Sequence, residues 1–438
     1  MSRPPRGTII YVGAFEFPDR NTSAQRAHAN ALILREIGYR VVLIGVSRAL
    51  PANAVIERID HSGLPFECWE IPQPASKWMW FHRVVSINAV TSMIEAHHPD
   101  DVAAVICYDY PAVPQERLKA FFHRRGAIAL AEVTEWYGVS RMRSVAGIVR
   151  NIDRPLRMRW ANRRMDGIIA ASGFLSDFYR KSGVPTIELP TLPPAEAEAE
   201  ATVAATPDGQ PKSLVFAATG FDPSVVAETR DGPKDRLDRV IAALWVASGL
   251  GADFRLDIYG VERDDYLAIA PDHVSMLADL GERVKFHGWQ PRDLVRTRLT
   301  EADYSIFLRK KTIASIAGFP TKFAESVHFG TPVITNAVGS IVSYHVEGRT
   351  GHYVDYEDSD VAGRQLATIL KQSAAEITAM KEYCRSSGLF HYQRYVKLLE
   401  GFMTKLEEAR EIGTRPAVNP AVSAGRPPSD AEVSGSSG

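Results

Sequence analysis

The stretch from Arg309 to Ser340, RKKTIASIAGFPTKFAESVHFGTPVITNAVGS, concentrates residue types that can handle a diphosphate. Apolar Tyr304–Leu308 predicts a strand that ends with Arg309, Lys310 and Lys311 at its carboxyl edge. Gly318 and Pro320 mark a loop, a helix follows over 321–329, Gly330 stops it, and Pro332–Thr335 reads as the next strand. Basic side chains and a helix N-terminus meeting at one strand edge are what a diphosphate needs. Glu325, in the first turns of that helix, could accept hydrogen bonds from two vicinal hydroxyls, as on a ribose. A plainer arrangement is also open, in which Glu325 balances the helix dipole and Lys322 is solvated.

Other motifs carry less. There is no GxxxxGK[ST] segment, and Gly249-Leu250-Gly251 precedes a strand where a dinucleotide fingerprint must follow one. His97-His98 sits before Pro99 in a loop with no ligand one turn on. Asp358-Ser359-Asp360 resembles a metal-binding DxD but directly precedes VAGRQLATIL, where Asp358 makes a good N-cap. Cys68, Cys107 and Cys384 are far apart and form no CxxC pair, so neither a disulfide framework nor a cysteine metal site is expected.

The elements that must position these residues alternate along the chain. Thr8–Val12 predicts a strand ending at Gly13, 24–37 an amphipathic helix stopped by Gly38, and Val41–Val46 a continuous apolar strand. Ala103–Cys107, Ile128–Val133 and Gly167–Ala171 read as further buried strands, as suits a parallel sheet covered on both faces. Over 190–213 the sequence turns to Pro, Ala and Glu without hydrophobic period, which predicts a linker. A second series follows: strands at Leu214–Ala218, Phe254–Tyr259 and Val284–Phe286, with a helix over Arg236–Val246. The expectation is an α/β protein of two Rossmann-like domains facing a cleft: 1–189, then 214–387 after the linker. A helix over 388–412 should return to the first domain, and the tail 413–438 should be disordered. Ligands in such sheets bind beyond the carboxyl ends of the strands.

Composition fits this. With 45% hydrophobic and 24% charged residues, the 438-residue chain is neither largely disordered nor collagen-like. Lys plus Arg total 51 against 52 for Asp plus Glu, so no global basic field suggests nucleic acid as a partner. The N-terminal apolar run is too short for a signal segment, and no stretch reaches the roughly 18 apolar residues of a membrane span. A cytoplasmic location, soluble or peripheral, is expected.

The order strand–GFPTKFAESVHFGTPVI resembles the donor-site signature of retaining, family 4-like glycosyltransferases with the two-domain GT-B fold. LREIGYRVVLIG, KDRLDRVIAAL, LDIYG and VKFHG stand in the family's order, and AEVTEWYG with DGIIAASGFLSDFY resembles bacterial members that build capsular or exopolysaccharides. The resemblance covers residues 8–405. It implies transfer of a sugar from a nucleotide-diphosphate-sugar to a glycan or lipid-linked acceptor, without a cofactor or metal. The glutamate closing the family's E-x7-E motif matches Glu325, whose implied partners are ribose hydroxyls. The first glutamate of that motif falls at Ala317, a departure that leaves the donor sugar open; Pro320, Lys322 and Glu325 fit the P-x-K-hh-E version instead. Diphosphate contacts are implied for Lys234 and for Arg309 or Lys322, with backbone amides at Gly220 and near Gly339 assisting. The family's usual Arg after the Gly220 loop is missing; Phe221-Asp222-Pro223 stands there. Trp289 is a candidate neighbour of the nucleobase or a packing residue at a domain edge.

In the first domain Gly13 should face the donor, and Arg26 either reaches the cleft or is solvated. Glu135, beyond a buried strand, is a candidate for orienting the acceptor hydroxyl, and Asp109 a second; with Arg309 they form the candidate catalytic set. From Arg141 to Arg164 eight arginines face one acid, Asp153, with Val145, Ile148, Val149, Ile152, Leu156, Met158 and Trp160 between them. A basic amphipathic stretch of this kind suits an anionic membrane surface, here the inner face of the plasma membrane, and KWMWFHR (77–83) adds aromatics. A solvated helix face is the bland alternative. Two other functions stay open: a non-catalytic GT-B protein that binds a glycan or partner, and a GT-B sugar-nucleotide epimerase that needs no acceptor.

Overall fold

The computed structural model describes residues 6–17, 21–50, 57–59, 67–97, 101–136, 145–193, 204–218 and 233–413. The chain forms two compact units. The first comprises residues up to Ala195, Ala317–Phe319 and the segment from His391; the second holds most of the remainder.

The first unit is built on an eight-stranded sheet of order β3-β4-β2-β1-β5-β6-β7-β8. Its strands are β1 (Thr8–Val12), β2 (Arg40–Ser47), β3 (Glu57–Ile59), β4 (Glu67–Pro72), β5 (Val102–Tyr108), β6 (Ile128–Val133), β7 (Gly167–Ala170) and β8 (Thr186–Glu188). Only the β3–β4 pair is antiparallel. Every residue of β1 and β6 is buried, Glu132 of β6 included, as suits central strands of a sheet covered on both faces. Helix α1 (Thr22–Ile37) begins where the Asn21 side chain accepts the Ala24 N–H at 2.8 Å. It ends where Gly38, at φ 110°, returns its N–H to the last turn; only glycine takes that left-handed conformation cheaply. The C-terminal helix Val396–Glu411 packs on this unit: Leu399, Met403 and Leu406 are buried, and Glu407 accepts hydrogen bonds from Arg6 and Tyr39. A 3₁₀ turn, Tyr392–Tyr395, precedes it.

The second unit carries a six-stranded, all-parallel sheet of order β11-β10-β9-β12-β13-β14. Its strands are β9 (Lys212–Ala217), β10 (Phe254–Tyr259), β11 (Val284–Phe286), β12 (Tyr304–Ile306), β13 (Val333–Thr335) and β14 (Gly351–Tyr353). The expected linker is narrower than 190–213, because residues 190–193 are buried and β9 starts at Lys212. The tail expected over 413–438 lies outside the described residues apart from Gly413.

Both sheets reverse direction once. In the first, the chain runs outward from β1 to β2 on one side and from β5 to β8 on the other; in the second, β9 and β12 flank the reversal. Loops leaving the carboxyl ends of two such neighbours diverge and open a crevice. The chemistry-bearing residues lie at these two places.

Candidate active site

In the second unit, the chain leaving β12 runs through buried Phe307 and Leu308 into Arg309. The Arg309 backbone is fixed on both sides: its N–H donates to Asn336 Oδ1 at 2.7 Å, and Asn336 Nδ2 donates to its carbonyl at 2.9 Å. Arg309 Nε then donates to Asp235 Oδ1 at 2.9 Å, while Lys322 Nζ donates to Asp235 Oδ2. One carboxylate thus bridges two cations. Burial alone would raise the Asp235 pKa, but the Lys322 and Arg309 charges outweigh it and hold the group at about 2. Lys322 lies in the first turn of the helix Thr321–His328, whose leading N–H groups add partial positive charge.

Glu325, three residues on, accepts a hydrogen bond from Arg292 at 2.9 Å. Burial raises the Glu325 pKa, and Arg292 opposes that rise more strongly than Lys322 does. A recess of about 60 Å³ between Phe307, Arg292, Lys322 and Glu325 marks the spot.

The structure therefore gathers Arg309, Lys322 and Glu325, and adds two residues that the sequence had not singled out, Asp235 and Arg292. The only signal for Asp235 was an acid placed directly between Lys234 and Arg236. Lys234 itself is exposed, and Gly220 lies outside the described residues. Trp289 is 79% exposed, so it does not pack at a domain edge within its unit. Asp358 caps the helix Ser359–Ile369, its carboxylate accepting the N–H groups of Asp360 and Val361.

In the first unit, Gly13 follows β1 and Asp109 follows β5, and both line a cavity of about 400 Å³. A side chain at position 13 would come within 2.6 Å of the buried Phe15 ring, so glycine is required there. Asp109 adopts φ 41°, a left-handed conformation rare outside glycine. It is held there by its N–H donating to Glu132 O at 3.0 Å, by Thr134 Oγ1 donating to its carboxylate and by Arg157 donating to its carbonyl. Glu135 is half-buried beyond β6 and does not line the cavity. Its neighbour Trp136 packs edge-on against Phe174 and Phe178.

Arg26 corrects an expectation. It is not solvated, being 1% exposed with its Nε bound to Glu132. Asn30 donates to the same carboxylate oxygen at 2.9 Å, and a second Arg26 nitrogen donates to Leu189 O at 2.8 Å. Burial pushes the Glu132 pKa well up. The pair is a strut joining α1, β6 and the segment after β8.

Of the basic stretch, residues 141–144 lie outside the described residues. The rest forms helix α5 (Val145–Leu156), a π-helical turn Arg157–Ala161 and a short helix Asn162–Arg164. Ile148, Ile152, Leu156 and Trp160, spaced by four, are all exposed. Among the described residues no helix is long and apolar enough to cross a membrane.

Comparison with known proteins agrees with the fold. Residues 226–414 match the family model of glycosyl transferases group 1. The two-sheet α/β architecture is the GT-B fold, and match and fold together support a nucleotide-sugar glycosyltransferase. Among solved structures, a sucrose-phosphate synthase from Thermosynechococcus elongatus shares 15% identity at a TM-score of 0.60, over 92% of this chain and 100% of that one. A glycosyltransferase from Rickettsia africae aligns at 11% identity and TM-score 0.58, over 92% and 98% of the two chains. Anabaena HepE, solved with UDP and glucose, aligns at 12% and 0.55, over 91% and 99%. No curated relative matches the chain by sequence.

Proposed function

We propose that the protein transfers a sugar from a nucleotide-diphosphate-sugar to a glycan or lipid-linked acceptor, with retention of anomeric configuration, in polysaccharide biosynthesis. The observation that carries this is the Asp235–Arg309–Lys322 cluster at the reversal point of the second sheet, beside Glu325. A donor diphosphate competes with Asp235 for the two cations. Lys234, the backbone at Gly220 and the N-terminus of Thr321–His328 add to its binding, Glu325 takes the ribose hydroxyls and exposed Trp289 the base. The bond from the anomeric carbon to the diphosphate oxygen breaks, and the electron pair leaves on that oxygen. Arg309 and Lys322 stabilise the charge that develops there, the largest electrostatic contribution available. The acceptor oxygen bonds to the anomeric carbon on the same face and passes its proton to the departing phosphate. Asp109 and Glu135 orient the acceptor, and Gly13 faces the donor.

The reading also makes the enzyme cytoplasmic and peripheral at the inner face of the plasma membrane. The exposed stripe Ile148–Ile152–Leu156–Trp160 with its arginines supports this, as do Trp78 and Phe81 on the helix Lys77–Val85.

The test is turnover of a panel of nucleotide-sugars with and without a membrane-extracted glycolipid acceptor, reading nucleoside-diphosphate release and product anomer by NMR. Acceptor-dependent release with a retained anomer is expected. Conversion of the nucleotide-sugar without acceptor, or an inverted product, would overturn the proposal.

A further inference from the structure

Arg292 stands outside every motif read in the sequence, yet the fold fixes its position closely. It opens the helix Arg292–Glu301, which the chain enters from β11 through His287, Gly288, Trp289, Gln290 and Pro291. That turn is tied to the sheet. The Gly260 N–H donates to Gly288 O at 2.6 Å, and the His287 N–H donates to Ile258 O at 2.8 Å. Gln290 Nε2 closes the turn by donating to His287 O at 2.9 Å. The far end of the helix is held as well: buried Lys381 donates to Thr300 O and Ala302 O, and Thr331 Oγ1 donates to Leu299 O at 2.7 Å. Thr331 lies just beyond the helix Thr321–His328 that carries Glu325, so this last bond ties the two helices together.

Across the recess between them, Arg292 donates to Glu325 Oε1 at 2.9 Å. The two side chains are 37% and 24% exposed, and an ion pair in that setting adds little stability. Its effect on Glu325 is the better explanation for its placement. The charged groups lining the recess are Arg292 and Arg296 from one helix, with Lys322 and Glu325 from the other. Lys322 is engaged by Asp235, and Arg296 pairs with Asp293 at 3.0 Å. Among these lining cations, Arg292 is the one hydrogen-bonded to Glu325. Burial raises the Glu325 pKa, and Arg292 is the strongest influence opposing that rise.

We propose that Arg292 is a positioning residue for the donor: it holds Glu325 as an oriented carboxylate, the preformed acceptor for the ribose hydroxyls. The proposal rests on the reading of Glu325 as the ribose contact. An ionised carboxylate accepts on both oxygens, and its charge-assisted bonds are about twice as strong as neutral ones. Because Arg292 acts from a helix pinned at both ends, the carboxylate needs little reordering when the nucleotide arrives.

The test is titration calorimetry from about pH 5 to about pH 9. UDP, GDP, ADP, CDP and their 2′-deoxy forms are titrated into wild type, Arg292→Gln, Arg292→Lys and Glu325→Gln. Whichever diphosphate binds wild type should bind Arg292→Gln about tenfold more weakly at pH 7, the loss expected when a charge-assisted bond is weakened. Preference for the ribose form over the 2′-deoxy form should shrink with it. The affinity of Arg292→Gln should recover as pH rises, because Glu325 without its cation ionises only at higher pH. Arg292→Lys, which keeps the charge, should need less of a rise, and it keeps the test valid if Arg292→Gln folds poorly. Glu325→Gln has nothing to ionise and should stay weak throughout. Binding that falls in Glu325→Gln but not in Arg292→Gln would overturn the proposal and leave the donor reading standing. A loss in Arg292→Gln that is the same at every pH would also overturn it, since a merely structural defect does not follow the ionisation of Glu325. Binding of no diphosphate by wild type would remove the donor reading and this proposal with it.

Discussion

Substituting Asp235→Asn separates the two roles of the cation cluster, because stability and ligand affinity should move in opposite directions. The Asp235 pKa is about 2 against an ordinary 3.8, a difference of roughly two units. At about 1.4 kcal/mol per unit, the charged form contributes on the order of 2 kcal/mol to the folded second unit. The side chains of Asp235 and Arg309 are only 16% and 10% exposed, so solvent screens the pair weakly. The folded-state pKa lies below the unfolded one, so this contribution is complete above about pH 4 and is lost as pH falls through about 2. The asparagine variant should therefore unfold with about 2 kcal/mol less stability at pH 7, a melting shift of about 4–8 °C for a unit of this size. It should also lack this part of the acid-induced loss. Nucleoside-diphosphate affinity should not fall, since the competing carboxylate has gone. Urea unfolding followed by tryptophan fluorescence measures the first effect and calorimetry the second. A variant as stable as wild type at pH 7 would refute the reasoning about the cluster, and weaker nucleotide binding would refute the competition.

Other substitutions probe other parts of the structure. Arg26→Ala strands the Glu132 carboxylate in the core and should cost about 3–5 kcal/mol, seen as a lowered urea midpoint or loss of soluble protein. The pKa of His345, fully buried, is lowered by burial to about 4, so stability should fall as pH drops from about 6.5 towards 4; His345→Asn should flatten that slope in pH-dependent denaturation. Asp358→Ala removes a helix cap and should cost about 1 kcal/mol by thermal melting, with nucleotide binding unchanged.

How much of this was legible in the sequence depended on the range of the interaction. Buried parallel strands announce themselves by short runs rich in apolar and β-branched residues, and Thr8–Val12, Ile128–Val133, Phe254–Tyr259 and Val284–Phe286 appear with the bounds the residues suggest. Caps are equally local, and Gly38 and Asp358 act as their types imply. β4 went unread because Glu67 and Glu70 interrupt its pattern; Glu70 is nevertheless buried. β14 is three residues long and is defined by its ladder to β13, which leaves no period to detect. Partnerships across the chain were the least visible. Arg26 looks like a surface helix residue until β6 places Glu132 against it, 106 residues away. Asp235 looks like a solvated acid until Arg309 and Lys322, 74 and 87 residues on, close around it. Lys322 and Glu325 needed no distant partner to come together, because three residues on a helix place two side chains on one face.

The most direct test of the account is calorimetric titration of UDP, GDP, ADP and CDP into wild type, Lys322→Ala and Glu325→Ala. One diphosphate should bind wild type, and each substitution should weaken it about tenfold or more, one through the phosphates and one through the ribose. Binding by none of the four, or binding indifferent to both substitutions, would contradict a nucleotide-sugar site at the second sheet.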